Sequence, residues 1–224
     1  MPVIDTALAA GVGSVLLARA TYAGFHWAYY QNHLGEAIRF RDGGLAWQGA
    51  LVGGVIGVAV MGTCCRQIRV PVALDVLTPG AASLATFAWL ACQPVGCAYG
   101  METYPGDGLL WTLSRDLPSL YGIREPRVAV QLLGAGWSAI LLGGVFFAER
   151  ILRGNGTVFA LWVALHSLGA FGLGFLRADE VTMVAGWRAD QVINLLLGAG
   201  GLVTAVVTTV IARECLTRGA SSET

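Results

Sequence analysis

The 224-residue chain carries 14 basic and 14 acidic residues; 12% of it is charged, 55% is hydrophobic, and its mean hydropathy is +0.64. Soluble domains carry about 25% charge, so half of the usual water-facing charge is missing, and the same numbers exclude intrinsic disorder. Every basic residue is an arginine and none is part of a dense basic run, which leaves no concentrated face for nucleic acid.

A spanning helix needs about 20 mostly apolar residues. Six stretches qualify, at approximately 6–30, 43–63, 71–98, 127–148, 156–176 and 189–212. The opening MPVIDTALAAGVGSVLLARA has no basic n-region and runs on into TYAGFHWAYY, so it reads as a first span and not as a cleaved leader. These runs are continuous and far longer than the alternating strands of a membrane barrel. The expected fold is therefore all-α: a polytopic six-span domain over 1–212, followed by a frayed polar tail over 213–224. Small-xxx-small spacing at Gly49–Gly53 predicts close backbone contact between helices. The seven tryptophans are spread over most segments, and several are expected as interfacial anchors.

Arginine placement gives the orientation. Arg66, Arg69, Arg150, Arg153, Arg213 and Arg218 crowd two short loops and the tail on one side, whereas seven others are spread over longer loops on the opposite side. The dense loops place both termini in the cytoplasm. The five cysteines show neither zinc-site spacing nor a disulfide framework, and three of them read as small buried hydrophobes.

Four ionisable residues stand inside the expected spans. Arg19 lies one turn from Tyr22 on the same face, at an insertion cost of at least about 2.5–3.5 kcal/mol. It is expected to be held by Asp75 or by a lipid phosphate. Asp75, followed by Pro79, reads as a cap or an ion-pair partner. His26 and His166 are the candidate ligands for a pigment or haem if one is bound; otherwise they are hydrogen-bonded packing residues. No Ser-His-Asp order and no HExxH occurs, so these residues alone disclose no catalytic set.

The run FRDGGLAWQGALVGG resembles the prolipoprotein diacylglyceryl transferase family of bacterial membranes. Asp42, Gly43, Gly44, Leu45, Trp47, Gly49, Leu51, Val52 and Gly53 fit its D-G-G motif in register. Upstream, ARATY is similar to the family's G-R-x-G-Y through Arg19 and Tyr22; downstream, LDVLTP matches through Asp75 and Pro79. WLACQPVGCAYG stands where the long family signature belongs and keeps Gly96, Tyr99 and Gly100. REPRVAVQL and GTVFALWVALHSLGAFGLGFLRADE are similar to the last two blocks, with Arg177 retained.

The resemblance implies a bacterial inner-membrane protein that contacts phospholipid through Arg19, Tyr22, Arg41, Gln48, Gly100 and Arg177. It makes Asp42, Gly43, Gly44, Asp75 and Pro79 structural, and implies a chain beginning at the family's second span. It also exposes departures. The family's essential histidine is Gln48 here, its signature arginine Trp89, the signature asparagine and glutamate Cys92 and Cys97, its second essential arginine Ala170, and the following glutamate Gly174. An amide does not titrate, and tryptophan or alanine cannot clamp a phosphate.

Three readings follow. In the first, the fold is kept without catalysis as a lipid-lodging subunit that packs against other membrane subunits, with no cofactor. In the second, an active transferase uses Arg19, Arg41 and Arg177 for the phosphate and Cys92 or Cys97 for proton transfer. In the third, a pigment or haem subunit uses His26 or His166.

Overall fold

The computed structural model describes residues 2–64, 68–152 and 154–221 and, of Pro2, Asp42 and residues 212–221, the backbone alone. Cys65, Arg66 and Arg153 lie outside the described residues, as do the side chains of Arg213, Cys215 and Arg218.

Six helices are long and apolar enough to cross a membrane: Pro2–Phe25, Trp47–Cys64, Val70–Val95, Val130–Ala148, Thr157–Gly174 and Ala189–Ser221, the last apolar over Ala189–Ile211. The fold is an all-α polytopic bundle. Its outer faces carry large apolar side chains such as Leu84, Phe87, Ile140, Phe147, Leu196 and Val203, as a lipid environment requires.

The boundaries differ from the hydropathy reading where polar chemistry intervenes. The first span stops at Phe25 and not near 30, and the chain then turns through short helices Trp27–Tyr30 and Leu34–Ala37 and a 3-10 turn, Phe40–Asp42. The third stops at Val95, because Gly96 takes a left-handed conformation (φ +73°). The fourth starts at Val130, because the preceding residues form a hairpin: β1, Ser114–Pro118, pairs antiparallel with β2, Arg124–Val128, in the register Asp116↔Pro126. A second ribbon pairs β3, Met183–Val184, with β4, Trp187–Arg188, around Ala185 and Gly186, which both have positive φ. The tail expected to fray from 213 continues the sixth helix through Ser221.

The spans associate in sequential pairs, first with second, third with fourth and fifth with sixth, and the third and fourth also pack on the fifth. The first pair is an interlock of small residues. A Cβ added at Gly49, Gly53 or Gly57 would strike the backbone of Leu17, Gly13 or Ala9 respectively, so the helices touch main chain to main chain. Elsewhere large residues fill glycine notches: Trp89 of the third span sits against Gly134 of the fourth, and Trp137 of the fourth against Gly169 of the fifth. Trp137 Nε1 also donates to the Leu165 carbonyl at 3.2 Å. Trp162 is buried in the core with Ala82, Leu141, Val145, Val158 and Val163. Trp89 and Trp137 are thus half-buried wedges and Trp162 a core residue, while Trp27, Trp111 and Trp187 are exposed at one end of the bundle.

Gly53→Ala is expected to lower stability by about 1–3 kcal/mol, the usual cost of overpacking a closed contact. Thermal unfolding in detergent checks this, with Gly136→Ala, where nothing lies within 4 Å of the added carbon, as the near-neutral control.

Candidate functional site

The second span starts low. The Ala46 N–H donates to the Ala18 carbonyl at 3.0 Å, seven residues and about 10 Å short of the end of the first span. The connecting segment therefore re-enters the bundle, and irregular backbone at that depth must find donors and acceptors within the protein. Arg19 supplies the donors. Its side chain is buried, and Nε donates to the Ala37 carbonyl at 2.8 Å. Nη2 donates to Glu36 O at 2.6 Å, and Nη1 donates to Gly43 O and, at 3.1 Å, to Gly44 O. The rings of Tyr22 and Tyr30 flank the guanidinium at 5.9 and 5.4 Å.

Arg19 was expected to be held by Asp75 or by a lipid phosphate. Asp75 is not its partner: backbone carbonyls occupy the guanidinium, and no carboxylate lies within ion-pair distance of it among the described residues. The reason is local: Gly43 and Gly44 both adopt φ +74°, which turns successive carbonyls inward, and a Cβ on Gly44 would collide with Tyr22. The Asp42 side chain lies outside the described residues; Arg41 is exposed on the same 3-10 turn.

Asp75 is buried at the other end of the bundle. Its Oδ2 accepts from Gly154 N at 3.1 Å and Gly156 N at 2.9 Å, and its Oδ1 accepts from Phe159 N at 3.0 Å. It caps the positive end of the fifth span. Pro79, four residues on, removes the N–H that would otherwise bond the Asp75 carbonyl.

The re-entrant segment delivers Gln48 to the interior. Gln48 is buried, and its Nε2 donates to Asn194 Oδ1 of the sixth span at 3.0 Å. Neighbouring Trp47 meets the buried His166 ring edge-on at 4.7 Å, and Trp162 stacks on it from the other side at 5.4 Å. His166 Nδ1 has no hydrogen-bond partner among the described residues. His26 lies just beyond the first span and not within it; its Nδ1 is 3.0 Å from the Tyr22 carbonyl and its ring stacks on Tyr22 at 4.2 Å.

The remaining positions form a second layer at the same end. Gly100 bridges to Arg177, and a Cβ there would strike the Val128 carbonyl. Arg177 ion-pairs with Asp179 at 2.6 Å and Asp190 at 2.9 Å, and Arg188 pairs with the same two carboxylates at 3.3 and 3.1 Å. Burial alone would weaken the charged form of Arg177, but its hydrogen bond to Asp179 and the charges of Asp179 and Asp190 outweigh burial and hold its pKa above the ordinary arginine value. For Asp179 burial raises the pKa, and the Arg177 hydrogen bond and the charges of Arg177 and Arg188 overcome it, leaving the carboxyl below its usual range. Sequence reasoning singled out Arg177 without its partners, although the tripeptide R-A-D occurs twice, at 177–179 and 188–190.

Cys92 and Cys97 form a disulfide, which corrects the expectation that the cysteines make none and takes both thiols out of acid–base use. The four residues between them include Pro94 and the left-handed Gly96, which bend the chain back on itself. Ala170 is buried in the fifth span, and at Gly174 the space for a side chain is filled by Gln191.

With this geometry in place, comparison with known proteins is direct: the profile described as prolipoprotein diacylglyceryl transferase matches residues 2–207. The chain belongs to the prolipoprotein diacylglyceryl transferase family. Among curated relatives, each named phosphatidylglycerol–prolipoprotein diacylglyceryl transferase, that of Pediococcus pentosaceus is 27% identical over 203 residues, covering 84% of this chain and 68% of its own. That of Mycolicibacterium paratuberculosis is 31% identical over 205 residues, covering 86% and 48%; that of Thermosynechococcus vestitus is 26% identical over 207, covering 85% and 72%. The chain thus spans about half the length of the mycobacterial relative. Family membership and six apolar helices make it a bacterial multi-pass inner-membrane protein in contact with membrane lipid.

The charge cluster carries a pH signature. Because the folded pKa of Asp179 lies below the unfolded value of about 3.9, its contribution to stability is present above that value and is lost as pH falls through the folded value. Unfolding in detergent followed down this acid range is expected to show a steeper loss for the parent than for Asp179→Asn, whose stability is already reduced near neutral pH.

Proposed function

We propose that this protein is a non-catalytic member of its family that lodges phospholipid and works as a subunit of a larger membrane assembly. The observation that carries this reading is what fills the positions where the family resemblance calls for chemistry. Gln48 is locked to Asn194, Trp89 is wedged against Gly134, Ala170 is packed in the fifth span, and Cys92 is tied to Cys97. The two arginines that remain at matching positions are engaged elsewhere, Arg19 by carbonyls and Arg177 by two carboxylates. No titratable group stands at Gln48 to take a proton from a thiol.

A seat for lipid is supported by an open groove of about 440 Å³ along the first span, lined by Leu8, Val12, Val15, Leu16 and Phe40. Its walls suit an acyl chain, and the exposed Arg41, next to Phe40, suits a headgroup phosphate. The subunit role is supported by Gly136 and Gly143, one heptad apart on the fourth span, with open space where a side chain would project. Small residues on an outward face let a partner helix approach closely.

The orientation rests on two independent features. Disulfides persist in oxidising compartments and are rare in the cytosol, so the Cys92–Cys97 end of the third span faces outward. An even number of spans then returns both ends of the six-span unit to the cytoplasm, the side to which the arginine-dense loops belong.

Proteoliposomes containing labelled phosphatidylglycerol and a lipobox peptide are expected to show no transfer above a boiled control; turnover would overturn the non-catalytic reading. Gentle extraction followed by native mass spectrometry is expected to retain partner chains, and a lipid-loaded monomer at every detergent concentration would sink the subunit role. A reporter active only outside the cytoplasm, fused after Thr224, should stay silent.

A further inference from the structure

The β1–β2 hairpin does not stand away from the membrane. Its turn is closed by Ser119 N donating to the Ile123 carbonyl at 2.8 Å and Gly122 N donating to the Ser119 carbonyl at 3.0 Å. Ser119 is buried, and so is Leu117 two residues earlier. The surface that covers Ser119 is the end of the third span: a Cβ added at Gly96 would run into the Ser119 carbonyl, and would lie 2.9 Å from the Pro118 carbonyl. Gly96 immediately follows Val95, the last residue of that helix. The tip of the hairpin is therefore level with the end of a spanning segment.

At that level the tip presents Leu120, Tyr121 and Ile123, with 56%, 68% and 57% of their surfaces exposed. Three large apolar or amphipathic side chains in five residues are an unusual load for a water-facing turn. Val95, also exposed, continues the same apolar surface down the lipid-facing side of the third span. Charge begins directly above: Arg124, next to Ile123, donates to Asp116 at 3.0 Å across the strands, and both are well exposed. An apolar turn that includes a tyrosine and is followed at once by an arginine matches the change of a bilayer from acyl chains through the interface to phosphate.

We propose that the hairpin tip is a membrane-interface anchor, inserting Leu120, Tyr121 and Ile123 between the phospholipids of the leaflet at which the third span ends, with Arg124 at the phosphate level. The occupant is lipid and not a soluble partner, because the patch is continuous with the lipid-facing surface of the span and lies at its boundary. This inference does not depend on whether the protein catalyses a reaction.

The test is a nitroxide at Tyr121→Cys, in a chain with Cys64, Cys65 and Cys215 changed to serine and the Cys92–Cys97 disulfide kept. The labelled protein is reconstituted into phosphatidylethanolamine–phosphatidylglycerol vesicles, with a nickel chelate on both sides. Tyr104→Cys, on the exposed segment ahead of the hairpin, is the water-facing reference. The ratio of oxygen to nickel collision rates at position 121 is expected to exceed that at 104 several-fold, and Ile123→Cys should give the same excess if the first variant folds poorly. Equal ratios would place the tip in water, and shielding from both reagents would place it against protein; either result overturns the anchor.

Discussion

One buried cation organises the functional end of this protein. Arg19 stands in a membrane helix with no carboxylate among the described residues within ion-pair distance, and the chain answers with four carbonyls from the re-entrant segment. The bargain is mutual: the guanidinium is kept from bare hydrocarbon, and irregular backbone at depth finds donors. Everything downstream inherits this geometry. The second span begins where the clamped segment releases it, so the position of Gln48 opposite Asn194 and of Trp47 against His166 are set by a side chain that touches neither pair. Removing the clamp would strand several carbonyls at about 1–3 kcal/mol each where they stay buried.

The family's fold is kept here with different contents. At the positions that the family resemblance marks for titratable or phosphate-binding groups, the chain carries side chains that pack or pair within the bundle. A tryptophan fills a glycine notch, an alanine lies flush in a helix face, an amide pairs with an amide, and two thiols join. Gln48 and Trp89 make contacts between helices, and Cys92 and Cys97 a covalent tie.

Much of the fold was legible in the sequence because membrane spans are written in hydropathy, and the six were placed to within a few residues. The glycine interlock was legible too, since Gly49 and Gly53 announce themselves by spacing. The misses have physical causes. The first span was read too long because TYAGFHWAYY is apolar enough to continue a helix, whereas the chain breaks after Phe25 and turns through a separate short helix, Trp27–Tyr30. The hairpin was missed because its strands are five residues each and charged on their exposed side. The Cys92–Cys97 disulfide was missed because spacing alone cannot show that Gly96 reverses the chain between the two. The partner of Arg19 was misjudged because a sequence displays carboxylates but hides carbonyls, which every residue carries.

Asp75 shows how this bundle must be put together in time. Its three donors, the N–H groups of Gly154, Gly156 and Phe159, are 79 to 84 residues further along the chain. A ribosome delivers the carboxylate long before it delivers them, so the third span enters the bilayer with an anion that has nothing yet to hold. The contact can close only once the first turn of the fifth span has been synthesised. The third span thus carries one half of a contact whose other half arrives only with the fifth, and the fourth, made between them, packs on both.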